Sequence, residues 1–366
     1  MAQPTIDHRG PEFADLTRDV VVGLRTVFGT DGAICIYPGS ATGGWEAALV
    51  NTLSAGDKVL MFDHGFFAAN WRTVAARFGL DVAFPEGDWR RGVDPEVVES
   101  ILREDDGHQF KAVMVVHNET STGVTSRIGE IRRAMDRAAH PALLMVDTVS
   151  SLGSIAYHHD EWGVDVTVAG SQKGLMLPPG LCFNAVSEKA LAAATEARLP
   201  KSYWDWQAVL PSNDTGFFPY TPSTNLLFGL REALALLKEE GLDRVYARHA
   251  RLGEATRRAV EAWGLEIYCR CAEEYSNTLT TVMMPEGSNA DTLRAEVLQR
   301  FDMSLGTGLG KLKGKVFRIG HLGDINELML AGTLCGIEMG LGAAGVPHAT
   351  GGVLAALDSL MPTRSG

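Results

Sequence analysis

Two side chains that follow neighbouring predicted strands could hold an aromatic cofactor between them. Asp147 follows the apolar run at residues 143–146, and Lys173 follows the run at residues 164–169. A lysine can bind the aldehyde of pyridoxal phosphate as a Schiff base, and a carboxylate can pair with the pyridinium nitrogen. Because that pairing keeps the nitrogen protonated, the ring can accept electrons from the α-carbon of a bound amino acid. This pair of residues therefore indicates pyridoxal phosphate chemistry.

A third feature offers a place for the phosphate group. The apolar run at residues 33–37 leads into Gly39, Ser40, Ala41 and Thr42, after which a helical pattern begins. Free backbone N–H groups at the start of a helix, together with small hydroxyl side chains, bind phosphate. An acid after a strand, a lysine after a strand and a glycine-rich turn are each common in proteins without such a site. Their occurrence together and in this order favours a cofactor site.

The elements that would position these residues form a repeating strand–helix pattern over the first two-thirds of the chain. Several strand-like runs are apolar at consecutive positions, as in strands that are buried on both faces of a parallel sheet. Alternation of such strands with helices predicts an α/β fold with a mainly parallel sheet, whose ligands bind at the carboxyl ends of the strands. The predicted strands are residues 33–37, 58–62, 82–84, 112–116, 143–146, 164–169 and 181–186.

The pattern changes near residue 225, where two long helical patterns follow each other. We predict a large cofactor-binding domain over residues 1–245 and a smaller α+β domain over residues 246–366. From residue 342 the chain is rich in Gly, Ala and Pro, and we expect a loosely held tail there. Within the smaller domain, the predicted strands are residues 278–284 and 316–319, and the predicted helices are residues 290–301 and 326–341.

Charge and composition exclude several classes of protein. The 366 residues include 33 Lys and Arg against 45 Asp and Glu, with a net charge of -12 and no dense basic cluster, so we expect no nucleic-acid partner. The five cysteines are scattered and lack zinc-ligand spacing, which predicts reduced thiols and no metal site. The first ten residues carry no apolar signal segment, and no run approaches the ~18 apolar residues of a membrane span. These patterns predict a soluble, cytoplasmic protein that does not bind membranes.

Five segments resemble one known family. The segment at residues 170–181, GSQKGLMLPPGL, resembles the cofactor-lysine motif of the class V aminotransferases, most closely their serine–glyoxylate and alanine–glyoxylate branches. Nearly the whole chain is covered by the resemblance, which implies fold-type I architecture, a pyridoxal 5'-phosphate cofactor and a homodimer with active sites at the subunit interface. The other segments, which match in the same order, are residues 39–60, 117–124, 145–154 and 314–323.

The resemblance also implies a role for each matched position. Lys173 would hold the cofactor and move a proton between the substrate and the cofactor, while Asp147 would pair with the pyridinium. Arg318 would bind the substrate α-carboxylate through two parallel hydrogen bonds, which a lysine cannot reproduce. The remaining positions would contact the cofactor: Ser40, Ala41 and Thr42 its phosphate with Gln172 nearby, Phe67 its face, Thr120 its phenolic oxygen, Val149 its underside, and Thr221 the phosphate held by the neighbouring subunit.

The activity implied by the resemblance is transamination between an amino acid and a 2-oxo acid. L-Serine is the expected donor and glyoxylate the acceptor, which gives 3-hydroxypyruvate and glycine. Alanine or aspartate as donor stays open, and so does a non-catalytic class V relative. A cysteine desulfurase is disfavoured because no cysteine lies between Cys271 and Cys335, and because Phe67 stands where a histidine is expected.

Two positions depart from the family pattern. The family carries a Gly-Pro-Gly segment ahead of the match at residues 4–13, and this chain begins without it. We therefore expect either a misassigned start or a substrate pocket more open than usual. The family often has a tyrosine where Phe218 stands, with its hydroxyl on the phosphate across the dimer. Phe218 would lower phosphate affinity unless Tyr220 replaces that contact.

Overall fold

A seven-stranded sheet forms the centre of the structure, a computed structural model that describes residues 1–361. Its strands, in the order in which they lie side by side, are β1 (Ala33–Gly39), β9 (Gly180–Val186), β8 (Val166–Gly170), β7 (Leu143–Asp147), β4 (Phe110–Val116), β2 (Lys58–Leu60) and β3 (Asp81–Ala83). The strands from β8 to β3 run parallel, and β9 is antiparallel to both of its neighbours. The mainly parallel sheet predicted from the sequence is confirmed.

Helices cover both faces of this sheet, which explains why its strands are apolar at consecutive positions. In β4, Val113 and Val115 join the core on one face, whereas Met114 and Val116 join the core on the other. No helix within residues 1–361 has the length and apolar character needed to cross a membrane. The first face carries α1 (Pro11–Phe28), α4 (Pro95–Arg103), α5 (Ile128–Arg137) and α8 (Thr224–Glu240), and the second carries α2 (Ala41–Thr52), α3 (Phe66–Arg77), α6 (Glu188–Glu196) and α7 (Trp206–Asp214).

A small antiparallel sheet and four helices form a separate core in the C-terminal part. Val245, early in α9, packs with the large-sheet core, whereas Leu252 of the same helix packs with the C-terminal core. The division into residues 1–245 and 246–366 remains our proposal. The strands of this part are β10 (Leu279–Met283), β11 (Gly306–Thr307) and β12 (Val316–Gly320), and its helices are α9 (Leu242–Ala262), α10 (Ala290–Phe301), α11 (Glu327–Ala343) and α12 (Gly352–Leu360). A short hairpin of β5 (Asn118–Glu119) and β6 (Val124–Thr125) follows β4.

The expectation of a loosely held tail from residue 342 is wrong for residues 342–361. Residues 362–366 lie outside the part of the chain that the structure describes. Helix α12 lies against α9, where the indole of Trp263 donates a 2.7 Å hydrogen bond to Glu338. The same carboxylate accepts bonds of 2.9 Å from Gly351 N–H and 3.2 Å from Val353 N–H. The residues of this segment are therefore tied to the half-buried carboxylate of Glu338, a contact that composition alone does not indicate.

Candidate active site

A cavity of about 170 Å³ lies where strands β1, β4, β7 and β8 end at the carboxyl edge of the large sheet. It brings together every site residue predicted from the sequence except Thr221 and Arg318, and it adds three that were not predicted. The predicted residues that line it are Ser40, Ala41, Thr42, Phe67, Thr120, Asp147, Val149, Gln172 and Lys173, and the additional ones are Trp45, Val116 and Asn118.

Asp147, the last residue of β7, is held by two donors. The indole N–H of Trp45 donates to Oδ2 at 2.7 Å, and the backbone N–H of Val149 donates to Oδ1 at 2.8 Å. Burial raises the pKa of Asp147 to about 7, while these hydrogen bonds and the charge of Lys173 act in the opposite direction. Each carboxylate oxygen keeps a second lone pair, so Asp147 can still accept a proton donor from the cavity.

Lys173 lies in the turn that follows β8, with its side chain half-buried. Burial lowers the pKa of its amine, and the nearby charge of Arg318 lowers it further. A lysine with a lowered pKa is more often neutral and is then a nucleophile or a base. The next residue must be glycine, because a Cβ at Gly174 would lie 2.2 Å from the carbonyl oxygen of Leu152.

The first turn of α2 presents free donors to the cavity. Ser40 is the N-cap residue, and its hydroxyl makes no capping hydrogen bond to the helix, so it is available to a ligand. The Gly43 N–H donates to the carbonyl oxygen of Ser40 at 2.9 Å, which leaves the N–H groups of Ala41 and Thr42 without a partner among the described residues, at the positive end of the helix dipole. Ser40 and Thr42 are exposed at the cavity. This corner can accept an anionic group.

Phe67 owes its position to Glu119, a residue for which the sequence suggested no role. The Glu119 carboxylate is fully buried and accepts hydrogen bonds of 3.1 Å from the N–H groups of both Phe67 and Ala68 in the first turn of α3. The neighbouring Ser121 hydroxyl accepts a 3.0 Å bond from Phe66 N–H. An acidic residue at a helix N-terminus is a known capping signal, but here the acid lies on a distant hairpin.

Arg318 lies on the small sheet beside the cavity, where its side chain contacts the backbone of Thr120. Its Nε donates to the carbonyl oxygen of Thr307 at 2.8 Å, and its Nη1 donates to the carbonyl oxygen of Thr120 at 2.7 Å. Burial lowers the pKa of Arg318, yet arginine stays protonated in proteins. One proton of Nη1 and both protons of Nη2 remain for a ligand, so the end of the guanidinium can still bind a carboxylate through two bonds.

Thr221 does not line the cavity. It is exposed and lies in a separate surface groove with His8, Arg9 and Phe218. The hydroxyl of Tyr220 in this groove donates to the carbonyl oxygen of Ile36 at 3.1 Å. The proton of the Tyr220 hydroxyl is thus already donated within the chain, which disfavours the expectation that Tyr220 replaces the family's tyrosine.

Comparison with known protein families identifies the class to which this fold and site belong. The profile of the aminotransferase class-V family matches residues 5–308. The chain therefore belongs to the class V aminotransferases, which confirms the resemblance and the fold-type I architecture predicted from the sequence.

Individual relatives are similar over nearly the whole chain. A serine–glyoxylate aminotransferase of Methylorubrum extorquens is 52% identical over 97% of this chain and 90% of its own length. An L-aspartate–glyoxylate aminotransferase of Paracoccus denitrificans is 44% identical over 99% of this chain and 92% of its own. Among solved structures, pyridoxamine-pyruvate aminotransferase from Mesorhizobium loti superposes with a TM-score of 0.91 and 29% identity, over 98% of this chain and 92% of that one.

Proposed function

We propose that this protein is a pyridoxal phosphate-dependent aminotransferase that moves the amino group of L-serine to glyoxylate, producing 3-hydroxypyruvate and glycine. The observation that carries the proposal is that Lys173 and Asp147 line one cavity together with the first turn of α2. The 52% identity to a relative named serine–glyoxylate aminotransferase supports the choice of substrates.

The cavity residues fit the parts of pyridoxal phosphate. The amine of Lys173 suits the aldehyde, the carboxylate of Asp147 suits the ring nitrogen, and the uncapped first turn of α2 suits the phosphate. When bound, the cofactor supplies an aldehyde for the amino group and a ring that accepts electrons. Phe67, Thr120, Val149 and Gln172 line the remaining walls and would contact the ring or its substituents.

The protein's own residues would bind the substrate and move its proton. Arg318 would bind the α-carboxylate through the free end of its guanidinium, which fixes the α-carbon near Lys173. The lowered pKa of Lys173 makes its amine neutral more often, so it can take the proton from the α-carbon and return it elsewhere. Asp147 would keep the opposite end of the cofactor ring protonated throughout.

We further propose a homodimer, in which Thr221 contacts the phosphate bound by the partner subunit. Its exposure outside the cavity is consistent with such a role. The cytoplasmic location also remains a prediction, with which the five unpaired cysteines agree. Light scattering on the purified protein tests the dimer, since a monomer at micromolar concentration would contradict it.

L-Aspartate is the second candidate donor, because a relative that is 44% identical is named for it. A single-turnover screen separates the donors: holoenzyme is mixed with serine, aspartate or alanine, and the released 2-oxo acid is quantified. We expect 3-hydroxypyruvate from serine at the highest rate. A faster release of oxaloacetate or pyruvate would refute the serine assignment.

A lysine variant separates an enzyme from a non-catalytic relative. We expect Lys173→Ala to lose all measurable transfer, together with the visible absorbance of covalently held cofactor that borohydride fixes to the wild-type chain. Lys189→Ala is the matched control, because Lys189 lies on the surface helix α6 and bonds to Ala142 and Asp165. A wild-type protein that binds no cofactor would refute the proposed function.

A further inference from the structure

Trp45 was not predicted as a site residue, yet its indole lines the cavity beside Asp147. The two residues are 5% and 4% exposed, and the indole N–H lies 2.7 Å from Oδ2 of the carboxylate. A hydrogen bond to a charged acceptor is about twice as strong as one between neutral groups, and burial strengthens it further. The hydrogen bond from Trp45 to Asp147 is therefore stronger than a hydrogen bond between two neutral groups.

A second tryptophan shows that this hydrogen bond is specific. Trp71 of α3 stacks on Trp45 with ring centroids 5.8 Å apart and an interplanar angle of 14°. Trp71 is fully buried, but its Nε1 has no hydrogen-bond partner within the described residues. Of two stacked and buried indoles, only Trp45 directs its N–H at a charged group.

We propose that Trp45 is a positioning residue for Asp147, whose carboxylate it holds in the orientation that pairs with the ring nitrogen of the cofactor. Trp45 fixes Oδ2 and the Val149 N–H fixes Oδ1, so the carboxylate cannot rotate. This inference rests on the proposed function, because it assigns a role toward the cofactor of that same site.

The charges around Asp147 make such a donor necessary. Burial and the charge of Glu119 both disfavour the ionised carboxylate, whereas Lys173 favours it. Tyr157 and His117 are also close: Tyr157 is neutral because burial raises its pKa, and His117 is neutral because burial lowers its pKa to about 3. The ionised state therefore depends on Lys173 and on the two N–H donors. Without the Trp45 donor, Asp147 should take up a proton more readily and hold the ring nitrogen less firmly.

The test compares Trp45→Phe with Trp71→Phe, because both variants keep a flat ring and lose one indole N–H. Holoenzyme is prepared with pyridoxal phosphate labelled with ¹⁵N in the ring, and the nitrogen resonance is followed against pH. In Trp45→Phe we expect the ring nitrogen to lose its proton about one pH unit lower, the size expected for one hydrogen bond to a charged group. Cofactor affinity should also fall about tenfold, and Trp71→Phe should match the wild type. The inference would be overturned if the ring nitrogen in Trp45→Phe titrated as it does in the wild type, or if its titration shifted equally in both variants.

A second measurement does not depend on the folding of Trp45→Phe. With ¹⁵N-labelled indoles, the Trp45 N–H resonance should move when Asp147→Asn removes the charge of its acceptor, while the Trp71 resonance should stay. A Trp45 resonance unchanged by Asp147→Asn would overturn the inference. The proposed function fails in a different way, since the wild-type protein would then bind none of the labelled cofactor.

Discussion

Asp147 shows how burial and hydrogen bonding oppose each other at a single residue. Its carboxyl group is only 4% exposed, so burial favours the protonated form, and the Val149 and Trp45 donors together with Lys173 reduce that preference without removing it. The result is a pKa of about 7 in place of 3.8. A positively charged ring nitrogen in the cavity would reverse this balance, since an opposite charge within hydrogen-bonding distance favours the carboxylate.

This raised pKa predicts how the stability of the cofactor-free protein depends on pH. The folded state binds the Asp147 proton more tightly than the unfolded state does, so the resulting stability is complete below about pH 4 and is lost as pH rises through about 7. The raised pKa of Asp147 contributes on the order of 4 kcal/mol to the free energy of unfolding at the acid end of this range. Urea denaturation across this pH range should show that the free energy of unfolding of the wild type falls as pH rises, and this fall should be absent in Asp147→Asn. The same decline in both proteins would contradict the raised pKa.

A substitution at Arg318 should weaken substrate binding without weakening cofactor binding. Arg318→Lys keeps the charge but removes the planar pair of donors, so the KM of every amino donor should rise by roughly 10–100-fold. Cofactor affinity should stay close to wild type. Arg294→Lys is the matched control, because Arg294 bonds to Leu305 and Asp291 outside the cavity. Loss of cofactor from Arg318→Lys would show that Arg318 holds the cofactor instead.

At the scale of elements, the carboxylate of Glu119 caps the first turn of helix α3, and this contact leaves room only for a glycine at position 65. Gly65 has a φ of 166°, which any residue can adopt, so the backbone does not explain its identity. A Cβ at Gly65 would lie 2.1 Å from Cγ of Glu119. Glycine is needed here because the buried Glu119 side chain fills the space while it caps the helix that carries Phe67.

Gly65→Ala should therefore disturb the aromatic wall of the cavity. The added methyl group must displace Glu119 or α3, which we expect to cost about 2 kcal/mol of stability and to weaken cofactor binding about tenfold. Thermal denaturation and cofactor titration measure the two effects. In the control Gly332→Ala, the Cβ on α11 meets no atom within 4 Å, so neither quantity should fall. Wild-type cofactor affinity in Gly65→Ala would mean that Phe67 does not need this cap.

Elements were easier to predict from the sequence than the contacts that complete the site. The strand predicted at residues 112–116 is Phe110–Val116 in the structure, because consecutive apolar residues are a local signal of a doubly covered strand. The bond from Trp45 to Asp147 joins residues 102 positions apart, and no local pattern separates this tryptophan from a core residue. Glu119 was visible in its motif, but its acceptor role depends on α3, some 50 positions away.

At the scale of the whole molecule, the two sheets must keep a fixed relation for Arg318 to stay beside the cavity. One junction that holds them is Glu274, which lies just ahead of β10 and is 2% exposed. Its carboxylate accepts bonds of 2.9 Å from both the Arg91 Nε and the Gly92 N–H of the large-sheet side. The antiparallel pairing of β10 with β12 then carries this anchoring to Arg318, which lies opposite Thr281.

Glu274→Gln should loosen this junction. Burial raises the pKa of Glu274, but the Arg91 and Gly92 hydrogen bonds outweigh burial and hold the pKa below its ordinary value. Its charge therefore adds stability above about pH 4, and this stability is lost as pH falls through the lower pKa of the folded state.

We expect Glu274→Gln to lower the free energy of unfolding by about 2 kcal/mol at pH 7, as measured by urea denaturation, and by less in acid. The variant should also raise the KM of amino donors. Glu296→Gln is the control, because its pair with Arg300 on α10 is partly exposed to solvent and contributes at most about 0.5 kcal/mol. If both variants are equally stable at pH 7, Glu274 does not hold the two sheets together, and the position of Arg318 depends on the remaining contacts between them.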